Sequence, residues 1–107
     1  MRTLRFIVED QIVKADPNCD FSGLGPGTEG YLKAEFIFSS EWLDCVKCAG
    51  FFSVMGKEYP PQILTDGKTC TIPSEALKNK SFKIQLTGVR PDYKIKTNKV
   101  TVCQNGG

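Results

Sequence analysis

The run from Gly30 to Val54, GYLKAEFIFSSEWLDCVKCAGFFSV, constrains this chain more than any other segment. In an extended backbone Leu32, Ala34, Phe36 and Phe38 fall on one side, and Tyr31, Lys33, Glu35 and Ile37 on the other. This is the period-two pattern of a strand with one buried face. A short acidic turn around the only tryptophan, Trp42, follows, and Val46 to Val54 then reads as a second strand. Between two such strands Trp42 is expected to plug a core.

The same period recurs along the chain. Leu4, Phe6 and Val8 alternate with Thr3, Arg5 and Ile7, and a turn at Glu9-Asp10 leads into a short strand from Gln11 to Lys14, a hairpin or a bent edge. Met55-Gly56-Lys57 reads as a tight turn into the next strand, where Pro60 and Pro61 lack ladder donors and so mark an edge or an interruption. Asp66-Gly67 carries a hairpin signal leading into Thr69 to Ile72. Pro73 to Leu77 reads as one helical turn opened by proline. Phe82, Ile84 and Leu86 alternate with Lys83, Gln85 and Thr87 in a strand ending near Gly88. Short strands from Tyr93 to Lys96 and from Lys99 to Cys103 close the pattern.

The segment from Asp16 to Gly30, DPNCDFSGLGPGTEG, is a loop by composition, pinned to the body by Phe21 and Leu24. Many short strands with one helical turn near residues 73–78 predict an all-β fold, an immunoglobulin-like antiparallel β-sandwich, with a small closed barrel as the other architecture. At 107 residues the chain fits a single domain over 1–104, with 105–107 as a flexible tail.

Histidine is absent, which removes Ser-His and Cys-His nucleophile pairs and mixed His/Cys zinc sites. Cys45-Val46-Lys47-Cys48 has C-x-x-C spacing, but it enters a strand, where residues three apart face opposite ways. A redox pair would instead need its first thiol at a helix start. A four-thiolate zinc site lacks a second close pair, so the expectation is packing, with no metal and no cofactor. Five cysteines cannot all pair within one chain, and reduced thiols in a cytoplasm are the simplest reading. Glu41 and Asp44 flank Trp42 as a solvated turn would, and GLGPG precedes no helix and carries Pro26, which argues against a phosphate loop. No apolar run approaches the roughly 20 residues that cross a bilayer, and the start lacks the pattern of an export signal. No membrane partner is expected.

Charge is distributed unevenly. Met1 to Leu77 holds seven basic and eleven acidic residues, a balance of −4, whereas Lys78 onward holds seven basic residues against Asp92, a balance of +6. If the last strands lie together they make a basic side. Such a side favours contact with copies of the same chain or with a complementary protein, unless it is simply a solvated face. Nucleic acid is a weaker fit, because arginine is scarce and the lysines follow strand alternation.

FIFSSEWLDCVKCAGFF, then GKEYPPQIL, CTIPSEAL and FKIQLTGVRPDYKIKTNKVTV, together resemble small phage and prophage domains of Firmicutes-type bacteria. The matched positions are Phe36, Phe38, Ser39, Trp42, Lys47, Ala49, Phe51, Gly56, Lys57, Tyr59, Ile72, Pro73, Glu75, Leu77, Thr97, Asn98, Val100 and Val102, spread from residue 36 to residue 102. The resemblance implies a β-sandwich module of tail, baseplate or fibre proteins. It therefore implies a non-enzymatic structural or assembly protein acting by protein–protein contacts, present in the host cytoplasm during expression and in the virion afterwards. The alternative is a small phage-encoded inhibitor of a host defence protein, such as a CRISPR-Cas or other anti-phage component. Candidate contact residues are Phe21, Leu24 and Pro26 in the long loop, and Tyr93, Lys94 and Lys96 near the end.

Overall fold

The structure is a computed structural model that describes residues 1–104; the tail expected at 105–107 lies outside the described residues. The described residues form nine strands: β1 (Arg2–Glu9), β2 (Ile12–Ala15), β3 (Leu32–Phe38), β4 (Val46–Phe52), β5 (Glu58–Ile63), β6 (Thr69–Thr71), β7 (Ser81–Arg90), β8 (Tyr93–Lys96) and β9 (Val100–Cys103). A 3₁₀ turn, Ser40–Trp42, joins β3 to β4, and the one α-helical turn, α1 (Ser74–Leu77), precedes β7. Two sheets face each other, one ordered β2-β1-β3-β6 and the other β5-β4-β7-β8, with β9 continuing along β7 beyond β8. This is the all-β sandwich that the alternation predicts. Among the described residues no helix is long and apolar enough to cross a membrane.

The core is built from the alternating positions. Leu4, Phe6 and Val8 of β1, Leu32, Ala34 and Phe36 of β3, Ala49 and Phe51 of β4, and Phe82, Ile84 and Leu86 of β7 are all buried. Phe6 stacks on Phe36 with ring centroids 5.3 Å apart, and Phe36, Phe38 and Trp42 continue the row toward one end. Burying each such Phe or Leu side chain stabilises the fold by about 1.5–3 kcal/mol.

One pairing departs from an antiparallel scheme: β1 and β3 run parallel, Arg2 opposite Leu32 through Val8 opposite Phe38. The long loop is the cause. It leaves the end of β2, passes beneath the start of β1 and delivers β3 to the far side of β1 in the same direction. Arg2 holds it there, its guanidinium donating to the carbonyls of Asp20 (2.8 Å) and Ser22 (2.6 Å). Phe21 packs edge-on against Phe6 at 5.5 Å, Leu24 is buried, and the Gly27 N–H donates to Leu77 O at 2.7 Å. Backbone polar groups that would otherwise open the end of the sandwich are thereby paired or covered.

Pro60 and Pro61 lie in β5, the edge strand of the second sheet, and the register shifts there opposite Gly50. Both readings of the proline pair hold, an edge and an interruption. Strand β7 runs past Gly88 to Arg90, two residues beyond its expected end. Gly88 keeps its ladder place opposite Lys47 and Ile95, and its missing side chain is filled by the Trp42 ring.

Candidate interaction surface

The end of the sandwich near Trp42 is fixed by five contacts. Trp42 is fully buried, and its indole N–H donates to Asp10 O at 2.8 Å across the β1–β2 turn. A Cβ placed on Gly88 would lie 2.7 Å from Trp42 Cε3, so the ring presses directly on the β7 backbone. The Tyr93 hydroxyl donates to Glu41 O at 2.9 Å. The Arg90 guanidinium covers the Tyr93 ring at 4.1 Å and donates to Leu43 O at 3.1 Å. Burial raises the Tyr93 hydroxyl pKa, and the Glu41 charge adds to the rise. With the indole enclosed, Glu41 and Asp44 flank no open aromatic face.

A second device sits where β8 gives way to β9. The Thr97 N–H donates to Leu86 O, and the Leu86 N–H is received by Thr97 Oγ1, each at 3.0 Å. The side chain thus stands in for a ladder acceptor. Asn98 then turns toward the other sheet: its Oδ1 accepts from the Val13 N–H at 2.8 Å and its Nδ2 donates to Val13 O at 3.4 Å. One carboxamide satisfies both backbone polar groups of one β2 residue, which closes this side of the sandwich and blunts two edges at once.

These anchors leave the outer face of the second sheet as the most distinctive surface. The register lays its side chains out in rows. Val46 of β4 lies beside Val89 of β7, and Val89 beside Lys94 of β8. The next row is Ile63, Cys48, Thr87 and Lys96. Further along, Phe52 lies between Glu58 and Lys83, and Lys99 reaches across so that its ammonium lies 4.1 Å from the Phe52 ring centroid. Val46 is 65% exposed, Ile63 63% and Val89 45%. Lys94 and Lys96 therefore share their rows with the uncovered aliphatic side chains, while Lys83 and Lys99 flank Phe52 further along the sheet. The ion pairs among the described residues, Arg5 with Glu35 and with Asp16, lie on the other sheet.

The residues picked from sequence separate into two groups. Tyr93, Lys94 and Lys96 lie at the Trp42 end and on this outer face, while Phe21, Leu24 and Pro26 lie at the opposite end of β1. Leu24 is committed to the core and Phe21 to the Phe6 contact, so Pro26 is the exposed member of that loop group. The structure does not bring the groups together. Sequence reasoning missed Val46, Ile63 and Val89, although each occupies the outward phase of its strand, where a polar residue is usual. That phase was the available signal; their adjacency depends on pairing between distant strands.

The cysteines are dispersed. Cys45 faces inward beside Gly88 and Trp42, while Cys48 faces out beside Ile63, as a strand imposes on residues three apart. Burial pushes the Cys70 thiol up to about 12, with Cys48 and Asp66 adding, and burial also raises Cys48. Both are protonated thiols at neutral pH and poor nucleophiles. Among the described residues no three His, Cys, Asp or Glu side chains gather as metal ligands would. No protein family, curated protein or solved structure matches the chain.

Proposed function

We propose that this chain is a non-enzymatic protein-binding module of a phage particle, in the tail, baseplate or fibre region, acting through the outer face of its second sheet. The observation that carries the reading is the composition of that face: exposed Val46, Ile63 and Val89 beside lysines without carboxylate partners. Protein contact surfaces combine an apolar centre with a polar margin. A nucleic-acid surface would instead use its whole width for phosphates and stacking, and the aliphatic row offers neither. The phage setting comes from the resemblance of the Phe36–Trp42, Gly56–Tyr59, Ile72–Leu77 and Thr97–Val102 segments to phage and prophage domains. In this reading the chain is made in the host cytoplasm and carried into the particle.

Mass spectrometry of purified particles tests it: the chain is expected at a fixed ratio to neighbouring tail proteins, and its absence from intact particles overturns the reading. The second reading, an inhibitor of a host defence protein, uses the same face, because unpaired lysines also suit an acidic host surface. Affinity capture from host lysate separates the two. A single host protein retained by the wild-type chain and lost with Lys94→Glu/Lys96→Glu supports the inhibitor, while recovery of phage proteins alone excludes it.

A further inference from the structure

Strand β3 is paired with β1 along its whole length but with β6 only in its first half. The β6 ladder spans Lys33 to Glu35, and the last bond on that side runs from the Phe36 N–H to Lys68 O at 2.8 Å. The chain before Lys68 turns back to the second sheet, where the Leu64 N–H donates to Lys47 O at 2.9 Å. Phe38 lies opposite Val8, and the Ser39 N–H donates to Val8 O. A parallel ladder in that register directs the Phe38 N–H and carbonyl away from β1. Among the described residues neither group has a partner. Other edges are blunted: β2 is capped by Asn98, and β5 carries Pro60 and Pro61, which lack donors.

A groove runs along this open edge, between the two sheets. Phe38 and Lys47 both occupy the inward phase of their strands, in step with the buried Phe36 and Ala49, yet both are only half-buried. The Lys47 ammonium stands 5.4 Å from the Phe38 ring centroid, and Lys68 lines the same groove. Neither lysine has a carboxylate partner. The carboxylates at hand are engaged: Glu35, which also lines the groove, pairs with Arg5 at 3.0 Å, and Asp66 accepts from the Lys68 and Thr69 amides. Ile37 and Leu43, 51% and 63% exposed, stand at its margins.

We infer that this edge receives an extended segment of a partner protein, which adds a strand beside Phe38 and carries a carboxylate between two aliphatic residues. Pairing with the Phe38 N–H and carbonyl supplies the backbone bonds, the mode by which a peptide extends a sheet. The residue opposite Phe38 shares its face, so its side chain enters the groove beside Lys47 and Lys68, where a carboxylate is the complement. Its two neighbours point to the other face, alongside Ile37, where aliphatic side chains fit. Lys47 faces inward and Val46 outward, so this site is separate from the outer face proposed above and does not depend on that reading.

The probe is the capped pentapeptide Thr-Val-Glu-Val-Thr, added at about 5 mM to the full chain, with amide hydrogen exchange at Phe38 read by NMR. With a dissociation constant of about 1 mM, one chain in about six stays free, and exchange at Phe38 slows about six-fold. Replacing the peptide's glutamate with lysine removes the charge match, and methylating that residue's backbone nitrogen removes the donor to Phe38 O. Each change is expected to reduce the slowing to less than about two-fold. Lys47→Glu/Lys68→Glu should reverse the preference, so that the lysine peptide slows exchange and the glutamate peptide does not, with unchanged Trp42 emission confirming its folding. The three peptides on the wild-type chain decide the matter even if that variant does not fold. No slowing by the glutamate peptide, equal slowing by the lysine peptide, or full slowing by the methylated peptide each overturns the inference. Particles that lack the chain refute the assembly role and leave this result untouched.

Discussion

Replacing Gly88 with alanine tests whether Trp42 and the β7 backbone are pressed together as described. The added Cβ would lie 2.7 and 2.9 Å from two indole carbons and 3.2 Å from Cys45 Cβ. Carbon atoms settle at about 3.5–4.0 Å, so the ring must retreat by about 1 Å. It is held on both sides, by the 2.8 Å hydrogen bond to Asp10 O and by Phe38 with centroids 5.1 Å apart. Overpacking of this kind costs about 1–3 kcal/mol, and weakening the indole hydrogen bond adds about 1 kcal/mol. Removing glycine's freedom from the unfolded chain returns about 0.5–1 kcal/mol. The net loss is about 2 kcal/mol, a fall in Tm of roughly 8–16 °C for a domain of this size. Calorimetry reads the shift. In a Trp42→Phe background, where the smaller ring leaves room, the same substitution should cost at least about 1 kcal/mol less. A Gly88→Ala protein melting within about 2 °C of wild type would refute the close packing.

Asn98→Ala removes both bonds to Val13 and should destabilise the chain by about 1–2 kcal/mol in urea unfolding, with faster hydrogen exchange at the Val13 amide; unchanged exchange there would mean that the carboxamide does not close the sandwich. Asp66 accepts from the Thr69 hydroxyl and from the Lys68 and Thr69 amides, which hold its carboxyl well below its ordinary 3.8. Its stabilising contribution is present above that value and is lost as pH falls below it, so Asp66→Asn should flatten the decline of Tm below about pH 4; parallel profiles for the two proteins would count against this. At pH 8 the exposed Cys103 should react with an aromatic disulfide reagent long before Cys70, whose pKa of about 12 leaves a thiolate fraction of roughly 10⁻⁴; equal rates in the folded protein would contradict the burial of Cys70.

What the sequence reveals about this fold follows from what is local. Alternation in β1, β3 and β7 identifies their inward faces, because a strand next to a core must alternate whatever it pairs with. Composition reveals the Asp16–Gly30 loop, and Pro73 marks the helical turn. Pairing partners are not local, and three features escape for that reason. The parallel β1–β3 ladder depends on where the loop travels, which Arg2 decides by binding carbonyls about 20 residues away. Gly88 looks like the end of a strand until Trp42, distant in sequence, is seen to fill its place. The Val46–Val89–Lys94 row joins three strands, so no window of the sequence contains it. Lys94 and Lys96 were legible as outward-facing charges, while their aliphatic neighbours were not.

The central claim is that the lysine-bordered face of the second sheet makes this chain's contacts. Amine acetylation read by mass spectrometry tests it most directly, comparing the chain in purified particles with the isolated chain in the same buffer. Lys94 and Lys96 are expected to be labelled several-fold more slowly in the assembly, with Lys14 and Lys78, exposed elsewhere, labelled alike in both. Equal labelling of Lys94 and Lys96 in the two states would contradict the claim.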